Sequence, residues 1–142
     1  MKRMRSQKGA ALLEAAVTLP MIMLVCVGIF EFGRAYQTWQ VLTNAAREGA
    51  RMAVIQGTSD TDIKARVVAY MVNGALPDGS ATMVTVTRNV GLAGTPDTGT
   101  QITINYPFQF MVLNPVVRLI HPTSTVGAPI TMQSNALMRN EM

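Results

Sequence analysis

The chain has 142 residues, enough for one domain with a modest core and one extension, and carries a formal net charge of +4. All of that excess lies in residues 1–9, in Lys2, Arg3, Arg5 and Lys8, because acids and bases balance over 10–56 and again over 57–142. Phosphate binding needs cations spread over a folded face, so this distribution argues against nucleic acid as a partner. Cys26, the single cysteine, excludes an intrachain disulfide.

The first element follows the basic leader. Residues 10–30 read "AALLEAAVTLPMIMLVCVGIF", 21 residues in which Glu14 is the only charge. As a helix this run is about 31 Å long, matching a hydrocarbon core of roughly 30 Å. It exceeds the apolar region of a signal peptide, about 7–15 residues, and "EFGRAYQ" behind it offers no small-x-small cleavage site. Cations in front of such a run hold the N-terminus on the cytoplasmic side. The expected order is a cytoplasmic leader over 1–9, a transmembrane helix in the lipid bilayer over 10–30, and the rest of the chain outside the cytoplasm. Pro20 lacks an N–H and crowds the carbonyl of Ala16, which predicts a kink or local opening. Glu14 stands out, since a charge near mid-bilayer costs about 2.5–3.5 kcal/mol. Cys26 reads as a small buried apolar residue of the run.

The helical period continues over 31–56 as an amphipathic stem. Phe32, Ala35, Trp39, Leu42, Ala46, Gly49 and Ala53 alternate at spacings of three and four, a heptad seam, with Gln37, Gln40, Asn44, Arg47 and Arg51 on another face. One helix from about Ala10 to Ile55 is expected, with Gly57 as its C′ residue. The seam narrows to small residues at Ala46, Gly49, Ala50 and Ala53, which lets another element approach closely, either the molecule's own sheet or a neighbouring subunit. In "AAREGAR" the charges read as a solvated face.

Residues 57–142 read as an extracytoplasmic α+β domain. "TSDTDIKARVVAYMVNG" predicts a second helix capped by Thr61 or Ser59 and ended by Gly74, with Ile63, Val67, Tyr70 and Met71 on one face. "TMVTVTR", "TQITINY" and "ITMQSNALMR" alternate with period two and predict antiparallel strands covered on one side by the stem. "NVGLAGTPDTG" reads as an exposed loop. In "MVLNPVVRLIH", Asn114 and Pro115 suit an N-cap and first helical residue, so a short helix is expected at the core edge, or exposed as a contact patch for a partner or membrane surface. The fold class is therefore α+β: a long N-terminal transmembrane and stem helix, a second short helix, and a small antiparallel sheet of three or four strands packed on the stem.

Little points to chemistry. His121 is the only histidine, too few for a zinc site of ordinary ligand count and without a nucleophile-elbow sequence to serve. "GLAGTPDTG" lacks the lysine of a phosphate loop. Neither catalytic residues, nor a metal, cofactor or small-molecule substrate is expected, and a periplasmic enzyme is disfavoured.

The leader, Gly9, four residues and Glu14 before a long apolar helix resemble the processing site of type IV-like prepilins, which a membrane prepilin peptidase cuts after the glycine. The stretch "LLEAAVTLPMIMLVCVGIFEFGRAYQTWQVLTNAAREGARMAV" narrows this. With its proline, "EFGR" and "AAREGAR", it looks like the TadE-like proteins, minor pilins or pseudopilins of the bacterial tight adherence (Tad/Flp) pilus, and the closing "ALMRNEM" fits more loosely. Major pilins of that system usually have an aromatic after the glutamate, where this chain has Ala15, so the resemblance implies a minor subunit. It further implies cleavage between Gly9 and Ala10, a pilin-like fold, residence in the inner membrane with a periplasmic domain, and passage to the cell surface if assembled. Prepilin peptidase, other pilin and minor pilin subunits and an inner-membrane assembly platform are the implied partners, in pilus assembly, adhesion and biofilm formation. Cutting would remove all the leader charge, and Glu14 could then pair with the new Ala10 amine of a neighbour. The rival reading is an uncleaved, membrane-anchored binding module that recruits envelope partners.

Overall fold

The computed structural model describes residues 3–76, 80 and 83–140, with the backbone alone for 3–8 and 119–120. In chain order the elements are α1 (Arg3–Ala53), α2 (Asp60–Asn73), β1 (Val84–Gly91), β2 (Thr98–Phe108), α3 (Leu113–Ile120) and β3 (Ile130–Arg139). This is the expected α+β class, with three strands. The chain divides into two compact units, Met1–Arg34 with Phe110–Ala128, and Ala35–Gln109 with Pro129–Met142.

The second unit holds the sheet. Its order is β1-β2-β3, antiparallel throughout, with Val86 opposite Ile102 and Ile102 opposite Ala136. Alternation decides which face is covered: Val84, Ile102, Ile104 and Tyr106 are buried while the intervening threonines and Asn105 turn outward or stay partly covered. On β3 the face containing Met132, Ser134 and Ala136 is covered only at its centre, and Ile130 and Met138 at its ends are exposed. Against the sheet lie Leu42, Ala45, Ala46, Ala50 and Ala53 of α1 and Ile63, Val67 and Met71 of α2. A Cβ on Gly49 would stand 2.5 Å from Val67 Cγ2 and 3.4 Å from an Ile102 methyl, so glycine is what lets α1 approach both α2 and β2. Tyr70, expected on the buried face of α2, stays partly exposed.

Local signals set most boundaries. Ser59, rather than Thr61, caps α2: its Oγ accepts from the Asp62 N–H and donates to Asp62 Oδ2 at 2.6 Å. Gly74 ends α2, its N–H donating to the carbonyls of Tyr70 and Met71. α1 starts at Arg3 and stops at Ala53, two residues before the expected end, because a tight turn closes with Ile55 N–H on Met52 O. Gly57, at φ +83°, then serves the next turn, in which Thr58 N–H donates to Ile55 O, rather than the helix terminus. The glycine-rich stretch between β1 and β2 is only partly a loop, since Val90 and Gly91 pair with Gly99 and Thr98. One extra residue in β1 between Thr87 and Val90 makes a bulge, with Asn89 at φ +58°.

In the first unit, the expected cap of α3 is corrected. The helix begins at Leu113 with Val112 in the N-cap place and no side-chain cap of its own. The Asn114 amide instead donates to Gly127 O at 2.7 Å, closing the 114–127 loop. Capping comes from a distance, because the Glu31 carboxylate of α1 accepts from the N–H groups of Val112 and Leu113. The preference for α3 at the core edge is also corrected. None of its residues with described side chains is buried, and the core cluster contains none of them.

Candidate processing and assembly site

The N-terminal part of α1 is built to face something other than its own chain. From Gly9 the helix is long and apolar enough to cross a membrane, and none of its most apolar window is buried within the chain. Leu12, Leu13, Val17, Leu19 and the run Met21–Val25 are all exposed. Gly9, Ala10 and Glu14 are exposed as well. Among the described residues no hydrogen bond or ion pair reaches the Glu14 carboxylate, whereas its backbone carbonyl accepts from Thr18 Oγ1 at 2.9 Å. Pro20 lies inside the helix, within a turn of that threonine. Of the leader cations, Lys2 lies outside the described residues, and Arg3, Arg5 and Lys8 are described by backbone alone.

At the end of the apolar run the chemistry changes. Glu31 is the most buried charged residue described, with 2% of its surface exposed. Its two oxygens divide the work. Oε1 accepts from Val112 N–H at 2.5 Å and Leu113 N–H at 3.3 Å, and Oε2 lies 3.0 Å from Arg34 Nη1. A buried carboxylate is tolerable when it is paired and hydrogen-bonded, and here backbone donors at a helix N-terminus and a guanidinium supply both. The residues are those of the "EFGR" sequence. Their spacing shows an i,i+3 pair; the link to residues 112 and 113 has no sequence signal.

The stem stripe separates into two parts. Leu42, Ala46, Gly49 and Ala53 are buried, joined by Ala45 and Ala50. Phe32 and Trp39, the aromatics of the same stripe, are 77% and 48% exposed. Within one copy of the chain the packed stripe therefore begins at Leu42. Beyond Leu42, itself fully buried, the helix surface narrows to Ala and Gly, which lets the sheet and α2 come close. Tyr36, also exposed, receives a hydrogen bond from Gln40 Nε2 at 2.7 Å and tilts against Trp39 with ring centroids 6.3 Å apart.

The charges of "AAREGAR" do more than face solvent. Glu48 Oε1 accepts from Arg51 on α1 and from Arg66 on α2, at 2.9 and 3.0 Å. The hydrogen bonds from Arg51, then Arg66, pull its carboxyl from 4.5 down to about 2 against a smaller opposing effect of burial. Arg88, within the bulge, joins Asp60 and the Thr58 carbonyl at the start of α2, and Arg139 reaches Asp97 in the β1–β2 loop. These links stitch the domain together. Arg51 was readable from its spacing to Glu48, but Arg66 and Arg88 were not.

Among the described residues no group of three His, Cys, Asp or Glu side chains gathers as a metal site. What the geometry offers is a set of surfaces: an unpartnered apolar helix with a lone acid, a small-residue seat for a sheet, and a carboxylate that ties a second segment to the helix. No curated protein and no solved structure matches the chain. A family model does, over residues 9–51, running from Gly9 through Glu14, Pro20, "EFGR" and "AAREGAR", and that family is the TadE-like proteins.

Proposed function

We propose that the chain is a minor pilin or pseudopilin of a bacterial tight adherence pilus, cut by prepilin peptidase between Gly9 and Ala10. One observation carries the reading: Glu14 stands five places into the would-be mature chain, on an exposed apolar helix, inside the stretch that matches the TadE-like family. Before the cut, the leader cations hold the chain in the inner membrane with its domain in the periplasm. After it, the clamp is gone and the helix is free to leave the bilayer for a pilus. The assembly platform and other pilin subunits are then the partners, with surface adhesion and biofilm formation downstream.

In such an assembly Glu14 of one subunit pairs with the Ala10 amine of another, each offsetting the other's burial. Two like-sized helices could otherwise slide past one another, so the pair sets axial register. The exposed Phe32 and Trp39 extend the stem surface available to neighbours. Mass spectrometry of the protein recovered from cells making the prepilin peptidase tests the cut. Ala10 as first residue supports the reading. An intact leader favours instead a membrane-anchored module that recruits envelope partners.

A further inference from the structure

We propose that the segment Phe110–Ala128 is a membrane-surface element, with α3 lying in the headgroup region where α1 leaves the hydrocarbon. The proposal rests on the reading of α1 as a bilayer-spanning anchor and adds a second point of lipid contact.

Position comes from Glu31. It directly follows the 21-residue apolar run of 10–30, so it sits where a spanning helix enters the interface. Its carboxylate holds the N–H groups of Val112 and Leu113, which puts the first turn of α3 at that same level. Asn114 pins the other end of the loop through Gly127 O. Both stretches belong to one compact unit, so the placement is internal to it.

The composition of the segment suits that place. "FMVLNPVVRLIHPTSTVGA" contains no acid, and Arg118 is its one permanent cation. Leu113, Val116 and Val117 share a helical face, and Arg118 lies off it. Met111 and Val116 are 63% and 42% exposed, and Val126 is exposed too, an apolar surface that the described residues leave uncovered. Ile29, Phe30 and Phe32 of α1, on either side of Glu31 in the sequence, are exposed as well. An amphipathic helix with a cationic edge buries its apolar face about 5–10 Å into the headgroup and acyl boundary. Arg118 can then lay its stem on the acyl region and keep its guanidinium among the phosphates. A protein partner would have no need of a face set at this level and free of acids. The lipid surface fits both features.

The test uses the full chain with Cys26→Ser, reconstituted in vesicles of phosphatidylethanolamine and phosphatidylglycerol. A fluorophore is attached at Val116→Cys or, in a parallel sample, at Val25→Cys. Lipids brominated high on the acyl chain are expected to quench the Val116 label several-fold more than lipids brominated near its end, and the Val25 label is expected to show the deeper pattern. Adding Glu31→Ala should largely abolish quenching at Val116 and leave Val25 unchanged. Absence of quenching at Val116 with Val25 quenched overturns the proposal and spares the anchor. Loss at both sites overturns the anchor and the proposal with it. Self-quenching between labels at Val116 without lipid quenching assigns the face to a second copy, and also overturns the proposal. Unchanged Val116 quenching in Glu31→Ala overturns the positioning by Glu31.

Discussion

The two halves of α1 use apolar residues in opposite ways. From Leu12 to Phe30 the large side chains, among them Leu, Ile, Met and Phe, are exposed and await another surface. From Leu42 to Ala53 one leucine and then small residues are buried in one cluster with α2 and the sheet. Apolar content alone would have ranked the first half as the core. Size and spacing reverse that ranking, because a helix can be approached closely by other elements only where its side chains are short. The first half is left uncovered by the described residues, and the second is finished within the chain.

The comparison is most sharply broken by truncating large residues in both places. Ile102 is fully buried at the centre of β2, close to Gly49 of the stem and in one core cluster with Ala46 and Ala50, and Val25 is exposed. Ile102→Ala should remove about 2–5 kcal/mol, the range for emptying a buried aliphatic site. Val25→Ala should leave stability unchanged. Thermal unfolding of the detergent-solubilised full chain, followed by circular dichroism, separates the two. A similar loss from both would mean that the anchor half is packed after all.

Glycine gives the reverse experiment. A Cβ at Gly49 meets Val67 at 2.5 Å, whereas one at Gly28 meets nothing within 4 Å. Gly49→Val is expected to destabilise by about 1–3 kcal/mol through overpacking, while Gly28→Val should leave the domain's unfolding midpoint where it was. The same melts read both variants. Gly28→Val does probe the assembled state, since a neighbour's helix would feel the added methyls.

What was legible in the sequence follows from the range of each interaction. The membrane-length run, the second helix and all three strands come from periodicity, which is local, and the structure has them. Leu42, Ala46, Gly49 and Ala53 share a heptad spacing and are buried in the structure. Phe32 and Trp39 follow the same spacing yet are exposed. Periodicity names a face without saying how far along it the partner extends. The start of α3 was misplaced by two residues for a related reason: Asn114–Pro115 is a good local start signal, but the donors of that turn go to Glu31, 81 and 82 residues away. Likewise Glu48 with Arg66 spans 18 residues and Arg88 with Asp60 spans 28, separations at which a single sequence offers no pattern.

A smaller effect concerns how each unit begins its short helix. α2 has its cap beside it in Ser59, and α3 borrows one from α1. Ser59→Ala should lower the stability of the domain by about 1 kcal/mol, the usual worth of a serine cap. Hydrogen exchange should localise the change to the first turn of α2, with amides of α3 unaffected. Protection lost equally in α3 would show that the two units unfold together.

The smallest effect is the acid that each half of α1 carries. Glu48 is paired inside its own chain, and Glu14 has no such pair among the described residues. Folding holds the Glu48 carboxyl at about 2 against 4.5 for the free group, so its two arginines contribute stability above pH 4.5. That contribution fades as pH falls from 4.5 towards 2 and is gone below. Both arginines are more than half exposed, so solvent screening limits the pairing to about 0.2–1 kcal/mol in all. Glu48→Gln should accordingly lower the unfolding midpoint slightly at pH 7 and flatten the acid side of the stability profile between pH 4.5 and 2. Salt should shrink the difference between wild type and variant. For Glu14→Gln the expectation is inverted: the isolated chain melts as wild type at every pH, while recovery in sheared surface pili falls. An acid that matters only once neighbours arrive can show its worth only in the assembly, and a Glu14→Gln chain that assembled normally would remove the pairing with Ala10 from the mechanism.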